Sequence, residues 1–324
     1  MKTLLSFVIP CYRSELTIEM VIDEIIRTVS QREDEYDYEV ICVNDCSPDN
    51  VLSVLKRLAT ENKKIKVIDF AKNMGKHAAV LAGYSYSKGK YIVSLDDDFQ
   101  CPVYELWRLL EPIEKDECDY STANYKVKRQ TAFKNFGSNV NMLMAEIMLG
   151  KPKGLRFENF SIMKRYIVEE MVKYDKPYPY LQGLICRITN RISTVEMDER
   201  ERGDNKATGF TFHKSVSLWL NGFTAFSVKP LRISTVLGFI LALGGFIFGL
   251  IMIIRKIIYP DVPAGYTSML AVQLFIGGII MMILGLIGEY VGRIYICLNN
   301  SPQYVIRDKI NISDFKEEVQ YENS

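Results

Sequence analysis

The chain carries almost no net charge: 40 Lys and Arg stand against 39 Asp and Glu, leaving +1 over 324 residues. No global field therefore draws it to nucleic acid, and any anion site must come from a local cluster. Histidine is scarce too. His77 and His213 are the two present, and neither has a Cys or His partner at metal-ligand spacing, which argues against zinc. The seven cysteines are odd in number and irregularly spaced, which excludes a disulfide scaffold and suits a reducing compartment. Cys42 and Cys46 lack the CxxC redox spacing. No GxGxxG follows the first predicted strand. Gly75-Lys76 runs into His77 rather than Ser or Thr, so neither the dinucleotide fingerprint nor the P-loop is present. The apolar run at 4–9 is shorter than a signal-peptide core and has no small-residue cleavage site after it.

What the chain has is a break in composition. Residues 233–254 (ISTVLGFILALGGFIFGLIMII) and 266–288 (YTSMLAVQLFIGGIIMMILGLIG) contain no charge. About 20 apolar residues span a bilayer core, so each run is long enough to cross one; the other structure open to them is a pair of buried core helices. Two spans joined by residues 255–265 form a hairpin, which puts both chain ends on one side. Lys214, Lys229, Arg232 and Arg293 flank the outer ends against Arg255 and Lys256 in the loop, a bias that favours cytoplasmic termini. Gly245/Gly249 and Gly288/Gly292 have the spacing that allows close helix approach. Ahead of the first span, Val216, Trp219, Leu220 and Phe223 fall on one helical face, as on a helix lying at the membrane surface. A second apolar face, within 138–149, suits core packing or contact with a prenyl tail. The expected organisation is a cytoplasmic domain at 1–209, an interfacial region at 210–229, the hairpin at 230–292 and a cytoplasmic tail at 293–324, polar and partly mobile from Ser301.

Before the hairpin, short β-rich runs (4–9, 38–44, 65–70, 91–95 and 119–125) alternate with helical stretches. That pattern predicts an α/β fold with a mostly parallel, doubly wound sheet. Polar clusters stand at four successive strand ends: Pro10 to Glu15, Asn44-Asp45, Lys72 to Lys76, and Asp96 to Gln100. Open α/β sheets bind ligands beyond the carboxyl ends of their strands. Three consecutive aspartates on a tight turn supply hard oxygen ligands for Mg²⁺ or Mn²⁺, with Gln100 as a further carbonyl; a solvated acidic loop is the alternative. Arg13 and Lys76 can neutralise phosphate, and Asp45 can accept hydrogen bonds from a ribose or base. A nucleoside diphosphate with a divalent ion fits the set.

FVIPCYRSE, VICVNDCSPDN, FAKNMGKHAAVLAGY and YIVSLDDDFQCP resemble the ordered motifs of family 2 glycosyltransferases with the GT-A fold. SLWLNGFTAFSVKPLRI and GEYVGRIY are similar to the membrane-anchored branch that charges polyprenyl phosphates, such as bactoprenol glucosyltransferases and dolichol-phosphate mannose synthases. The resemblance implies that Pro10, Tyr12, Glu15 and Asp45 hold base and ribose, with Lys76 and Asp97 also at the nucleotide sugar. It implies that Asp96 and Asp98 are the metal pair and the centre of catalysis, with Gln100 near the metal. The QxxRW motif of processive family 2 synthases is missing at both tryptophans, which disfavours a polysaccharide synthase.

The activity so implied is inverting transfer from a nucleotide sugar, a UDP-sugar, to polyprenyl (undecaprenyl) phosphate at a bacterial cytoplasmic membrane. The protein would be multi-pass, its catalytic domain would be cytoplasmic, and a homo-oligomer is allowed. A lipid phosphate is already anionic and needs no base, whereas a hydroxyl acceptor would require one, with Asp97 and Glu199 the available carboxylates. The other alternative is a tethered nucleotide-sugar-binding protein without transferase activity. Lys128, Arg129 and Lys134, in a basic run with Lys126, are candidates for the acceptor phosphate, as is a second run of Lys151, Lys153 and Arg156. Arg200 and Arg202 lie where related enzymes carry a loop arginine, and Arg202 is the catalytic candidate. Ser161 occupies the expected position of another arginine, whose role then falls to Lys164 or Arg165 or is lost.

Overall fold

The computed structural model describes residues 2–125, 155, 157–177, 179–198, 200, 229–259, 265–299 and 302–312. The chain divides into two compact units, Met1–Phe210 with Ser301–Ser324, and Thr211–Asn300.

The first unit is a three-layer α/β/α domain. Its strands are β1 (Thr3–Cys11), β2 (Tyr36–Asn44), β3 (Ile65–Phe70), β4 (Tyr91–Ser94), β5 (Tyr120–Tyr125), β6 (Ser161–Lys164), β7 (Ile192–Met197) and β8 (Ile306–Ile310). They form one sheet in the order β7-β5-β6-β4-β1-β2-β3-β8. The centre is parallel: β1 pairs with β2 and β4, and β2 with β3. Leu5, Phe7, Ile9, Val40 and Cys42 face helices α1 (Ile18–Ser30), α2 (Val51–Glu61) and α4 (Leu106–Glu114) in the main core. On the opposite face α3 (Lys76–Ser85) packs on β1 and β2, and α5 (Arg165–Val172) packs on α3 and on α6 (Leu181–Ile188). Burial on both faces explains why these strands read as nearly continuous apolar runs. The seating of α3 is close: a Cβ on Gly83 would lie 2.3 Å from Val8 Cγ1.

Three expectations need correction. The doubly wound pattern stops after β4, because antiparallel β6 inserts between β4 and β5. The polar segment after the hairpin is no mobile tail over its first part. It contributes β8, antiparallel to β3, so the sheet ends in a strand that the chain reaches only after the hairpin. Tyr304 stacks on Phe70 at 5.4 Å, and Arg307 Nε bonds the Asp69 carboxylate at 2.7 Å. Third, of the two readings left open by Ser161, a substitute contact from Lys164 or Arg165 is the one to drop. Lys164 binds Asp116 and Asp119, and Arg165 donates to the carbonyls of Ser87 and Gly89, all at the end of the sheet opposite the polar clusters.

In the second unit, α7 (Lys229–Ile258) and α8 (Tyr266–Leu298) are 30 and 33 residues long, or about 45 and 50 Å at 1.5 Å per residue. Their apolar windows, Ser234–Ile251 and Phe275–Leu298, are long and apolar enough to cross a membrane and have no buried share. Phe239, Phe246, Phe248, Phe275 and Met281 are exposed, which excludes the buried-core alternative. This is a two-helix hairpin rather than a larger multi-pass bundle. Among the described residues nothing lies within 4 Å of a Cβ built on Gly245, Gly249, Gly288 or Gly292.

Candidate active site

The clusters at the ends of β1 to β4 meet at the carboxyl edge of the parallel strands. The turn after β4 is built around its middle aspartate. Asp97 Oδ2 accepts the Tyr12 N–H at 2.9 Å, and its carbonyl accepts the Thr17 hydroxyl at 2.5 Å. Burial, reinforced by the flanking Asp96 and Asp98, pushes the Asp97 carboxyl up to about 6. Asp96 and Asp98 take other partners. Lys76 Nζ binds Asp96 Oδ1, and Asn159 Nδ2 binds its Oδ2 at 2.6 Å. Asp98 Oδ1 accepts the Gln100 N–H at 3.1 Å, closing a turn in which Phe99 has a φ of 62°.

Asp45 is buried at the end of β2. Its two oxygens accept the N–H groups of Met74 (2.6 Å) and Gly75 (2.9 Å), and burial raises its pKa against those bonds. Asp45 thereby fixes the turn that launches α3, where Gly75 has a φ of 87°, a conformation that favours glycine. Glu15 lashes the β1 loop to the start of α2: it accepts the Asn50 N–H at 3.2 Å, and its own N–H donates to Asp49 at 3.0 Å. Tyr12 stays 44% exposed, a ring face beside the aspartate turn, with the Arg13 guanidinium 5.5 Å from its centroid. Pro10 is buried inside β1 opposite Val43, so it shapes the strand end from within.

Two candidates take unexpected partners. Gln100 Nε2 donates to the Arg200 carbonyl at 3.3 Å and ties the aspartate turn to the chain after β7. The Arg200 guanidinium makes a two-pronged pair with Glu24 at 2.6 Å and lies over Phe99 and Tyr104, so it acts as a clamp rather than an anion contact. Arg202, Lys128, Arg129 and Lys134 lie outside the described residues, as do Lys126, Lys151, Lys153, Arg156 and Glu199 and the apolar faces of 138–149 and 212–226. Sequence reading missed Thr17 and Asn159 as partners of the turn. Neither residue carries a local signal of its role.

Comparison with known proteins gives the family. The family model for Glycosyl transferase family 2 matches residues 6–172, and that for the GtrB C-terminal hairpin matches 229–294. The chain is 31% identical to the uncharacterized glycosyltransferase YkcC of Bacillus subtilis (strain 168), over 95% of each chain. It is 31% identical to the prophage bactoprenol glucosyl transferase homolog of Escherichia coli (strain K12), over 94% of this chain and 98% of that one. The undecaprenyl-phosphate 4-deoxy-4-formamido-L-arabinose transferase of Proteus mirabilis (strain HI4320) is 28% identical, over 95% and 94%.

Proposed function

Since this chain belongs to glycosyl transferase family 2 and carries a GtrB C-terminal hairpin, we propose that it moves a sugar from a nucleotide diphosphate sugar to polyprenyl phosphate. The donor is a UDP-sugar and the product a polyprenyl-phosphate sugar formed with inversion. The observation that carries this reading is the aspartate turn. With Asp97 locked inward on Tyr12, alternate residues Asp96 and Asp98 are the pair set to meet a ligand.

The turn fits Mg²⁺ or Mn²⁺ in its donor set. Among the described residues no group of three Asp, Glu, His or Cys gathers around one point, so Asp96 and Asp98 would supply two hard oxygens, and diphosphate and water the rest. Mg²⁺ favours such a shell. When bound, the ion would offset charge developing on the departing diphosphate. Lys76, now on Asp96, stands where it can pair with the same anion. Tyr12 offers a face for the base, while Asp45 and Glu15 hold the loops that frame the ribose.

The acceptor phosphate attacks the anomeric carbon directly, and the protein's task is to align it and offset repulsion between two anions. Lys128, Arg129, Lys134 and Arg202 are the cations proposed for that task. A hydroxyl acceptor would need a base, and Asp97 is turned inward on the Tyr12 backbone, which weighs against that alternative. The reading puts the enzyme at a bacterial cytoplasmic membrane with its α/β unit on the cytoplasmic side.

The test is transfer from radiolabelled UDP-, GDP- and dTDP-sugars to undecaprenyl phosphate by the full chain in detergent with Mn²⁺. One donor should give a labelled, acid-labile lipid, and Asp98→Ala should lower the rate by roughly 10²–10³-fold, as for loss of a group aimed at transition-state charge. Nucleotide binding without a lipid product from any donor would overturn the reading.

A further inference from the structure

The strand that follows the hairpin does more than close the sheet. Arg307 Nε bonds Asp69 Oδ2 at 2.7 Å, and Asn44 Nδ2 bonds the other oxygen, Oδ1, also at 2.7 Å. Asp69 and Asn44 are 3% and 2% exposed and stand at paired positions on β3 and β2. With its nitrogen held on Asp69, the Asn44 amide turns its oxygen the other way, and Oδ1 accepts the Ser47 N–H at 3.3 Å. The Ser47 hydroxyl then crosses to the next loop, accepting the Arg13 N–H at 2.8 Å and donating to Asp49 Oδ1 at 2.6 Å. Asp49 Oδ2 in turn accepts the Glu15 N–H. A continuous chain of hydrogen bonds therefore runs from β8 to the loop that carries Tyr12, Arg13 and Glu15.

The backbone at the far end of this chain is unfavourable by itself. Arg13 and Cys46 have φ values of 59° and 51°, a left-handed region that neither residue type favours. Such conformations persist only where their surroundings hold them, and Ser47, bonded to Arg13 and next to Cys46, is that hold. Charge fixes the sense of the chain. An ionised Asp69 only accepts, so Asn44 presents nitrogen to it and oxygen to Ser47. Among the described residues Arg307 is the cation bonded to Asp69. Its removal leaves a buried carboxylate without its counter-charge, a cost that falls if the ends of β2 and β3 open toward water. The same segment braces a further loop of the site. The Val305 carbonyl accepts the Ala71 N–H at 2.9 Å, and Tyr304 stacks on Phe70, where the stretch to Gly75 and Lys76 begins.

We infer that Arg307 is a positioning residue for the nucleotide: through Asp69, Asn44 and Ser47 it sets the β1 loop in the shape that receives the base and ribose. The inference rests on the proposed function for its nucleotide-sugar donor. It goes further by making donor affinity depend on a strand that the chain reaches only after the hairpin.

The experiment is equilibrium binding of UDP, GDP and dTDP to the full chain in detergent with Mn²⁺. Arg307→Ala should weaken the preferred nucleotide by roughly three- to tenfold, the worth of one hydrogen bond. Arg307→Lys, which returns a cation to Asp69, should recover most of that loss. Lys309→Ala is the control: it removes another cation from β8, one whose ammonium lies 5.4 Å from the Tyr86 ring centroid, and should keep Kd within about twofold. Ser47→Ala cuts the chain at its far end and should cost a similar factor. The double variant Arg307→Ala/Ser47→Ala should bind within about twofold of Ser47→Ala alone, because both changes break one path. Should Arg307→Ala not fold, Arg307→Gln, which keeps a donor and loses the charge, takes its place with an expected loss of at least about twofold. Wild-type affinity in the Ala or Gln variant, no recovery with Lys, an equal loss in Lys309→Ala, or losses that multiply in the double variant would overturn the inference and leave the donor assignment standing. A wild type that binds none of the three nucleotides would overturn both.

Discussion

Asp45 stands where the resemblance expects a ribose or base contact, yet both its oxygens hold the backbone of Met74 and Gly75. Asp45→Ala should therefore act first on the loop. Leaving those N–H groups without their acceptor costs about 1–3 kcal/mol, read as a lower thermal midpoint, with a weaker Kd for UDP as the loop loosens. His77 gives a pH signature. Its pKa falls from 6.5 in the open chain to about 4 in the fold, so its contribution to stability is whole above about pH 6.5 and drains away as pH falls toward 4. Thermal midpoints at pH 7.5 and 4.5 should fall further for wild type than for His77→Asn, by the equivalent of about 3 kcal/mol. At this scale the sequence was legible where functional groups come in tandem. Three aspartates after a strand announce a turn with ligands, but which of them faces inward depends on Tyr12 and Thr17, some 80 residues earlier. The clasp of Asn159 on Asp96, 63 positions away, leaves no local pattern.

Among the elements, α3 carries Lys76 and His77 to the site, and its seat is set by Gly83. An alanine there would put a methyl 2.3 Å from Val8 Cγ1 and 3.3 Å from Val43 Cγ2. Gly83→Ala should cost about 1–3 kcal/mol in stability, the usual penalty of overpacking. Adding Val8→Ala should return part of it, a non-additive outcome that a double-mutant cycle of thermal midpoints would show. The central strands were legible because burial on both faces writes an apolar run. Strands β6 and β8 escaped notice for the opposite reason. They are 4 and 5 residues long, and IRDKI carries charge as edge strands do, so only pairing with distant partners makes them strands. Arg307→Ala should expose that dependence. Asp69, 3% exposed, would keep Asn44 but lose its cation, and we expect a lower thermal midpoint, by less than a fully buried pair would give because Arg307 is itself largely exposed.

On the scale of the whole molecule, β8 bears on topology. Strands on both sides of the hairpin in sequence belong to one sheet, so a hairpin that crosses a membrane must begin and end on the same face of it. A reporter inserted at 261–264 should be accessible from the face opposite one fused after Ser324, and equal accessibility would contradict two crossings. The same strand bears on the order of events during synthesis. The ribosome delivers 306–310 only after both apolar helices have emerged, and until then the edge of β3 has no neighbour. A chain whose hairpin stalls outside the bilayer therefore presents an unfinished sheet together with two long greasy helices, the kind of edge that invites aggregation or a protease. The sheet of the α/β unit is thus closed only after both apolar helices have been made, and β8 is the last of its described strands to arrive.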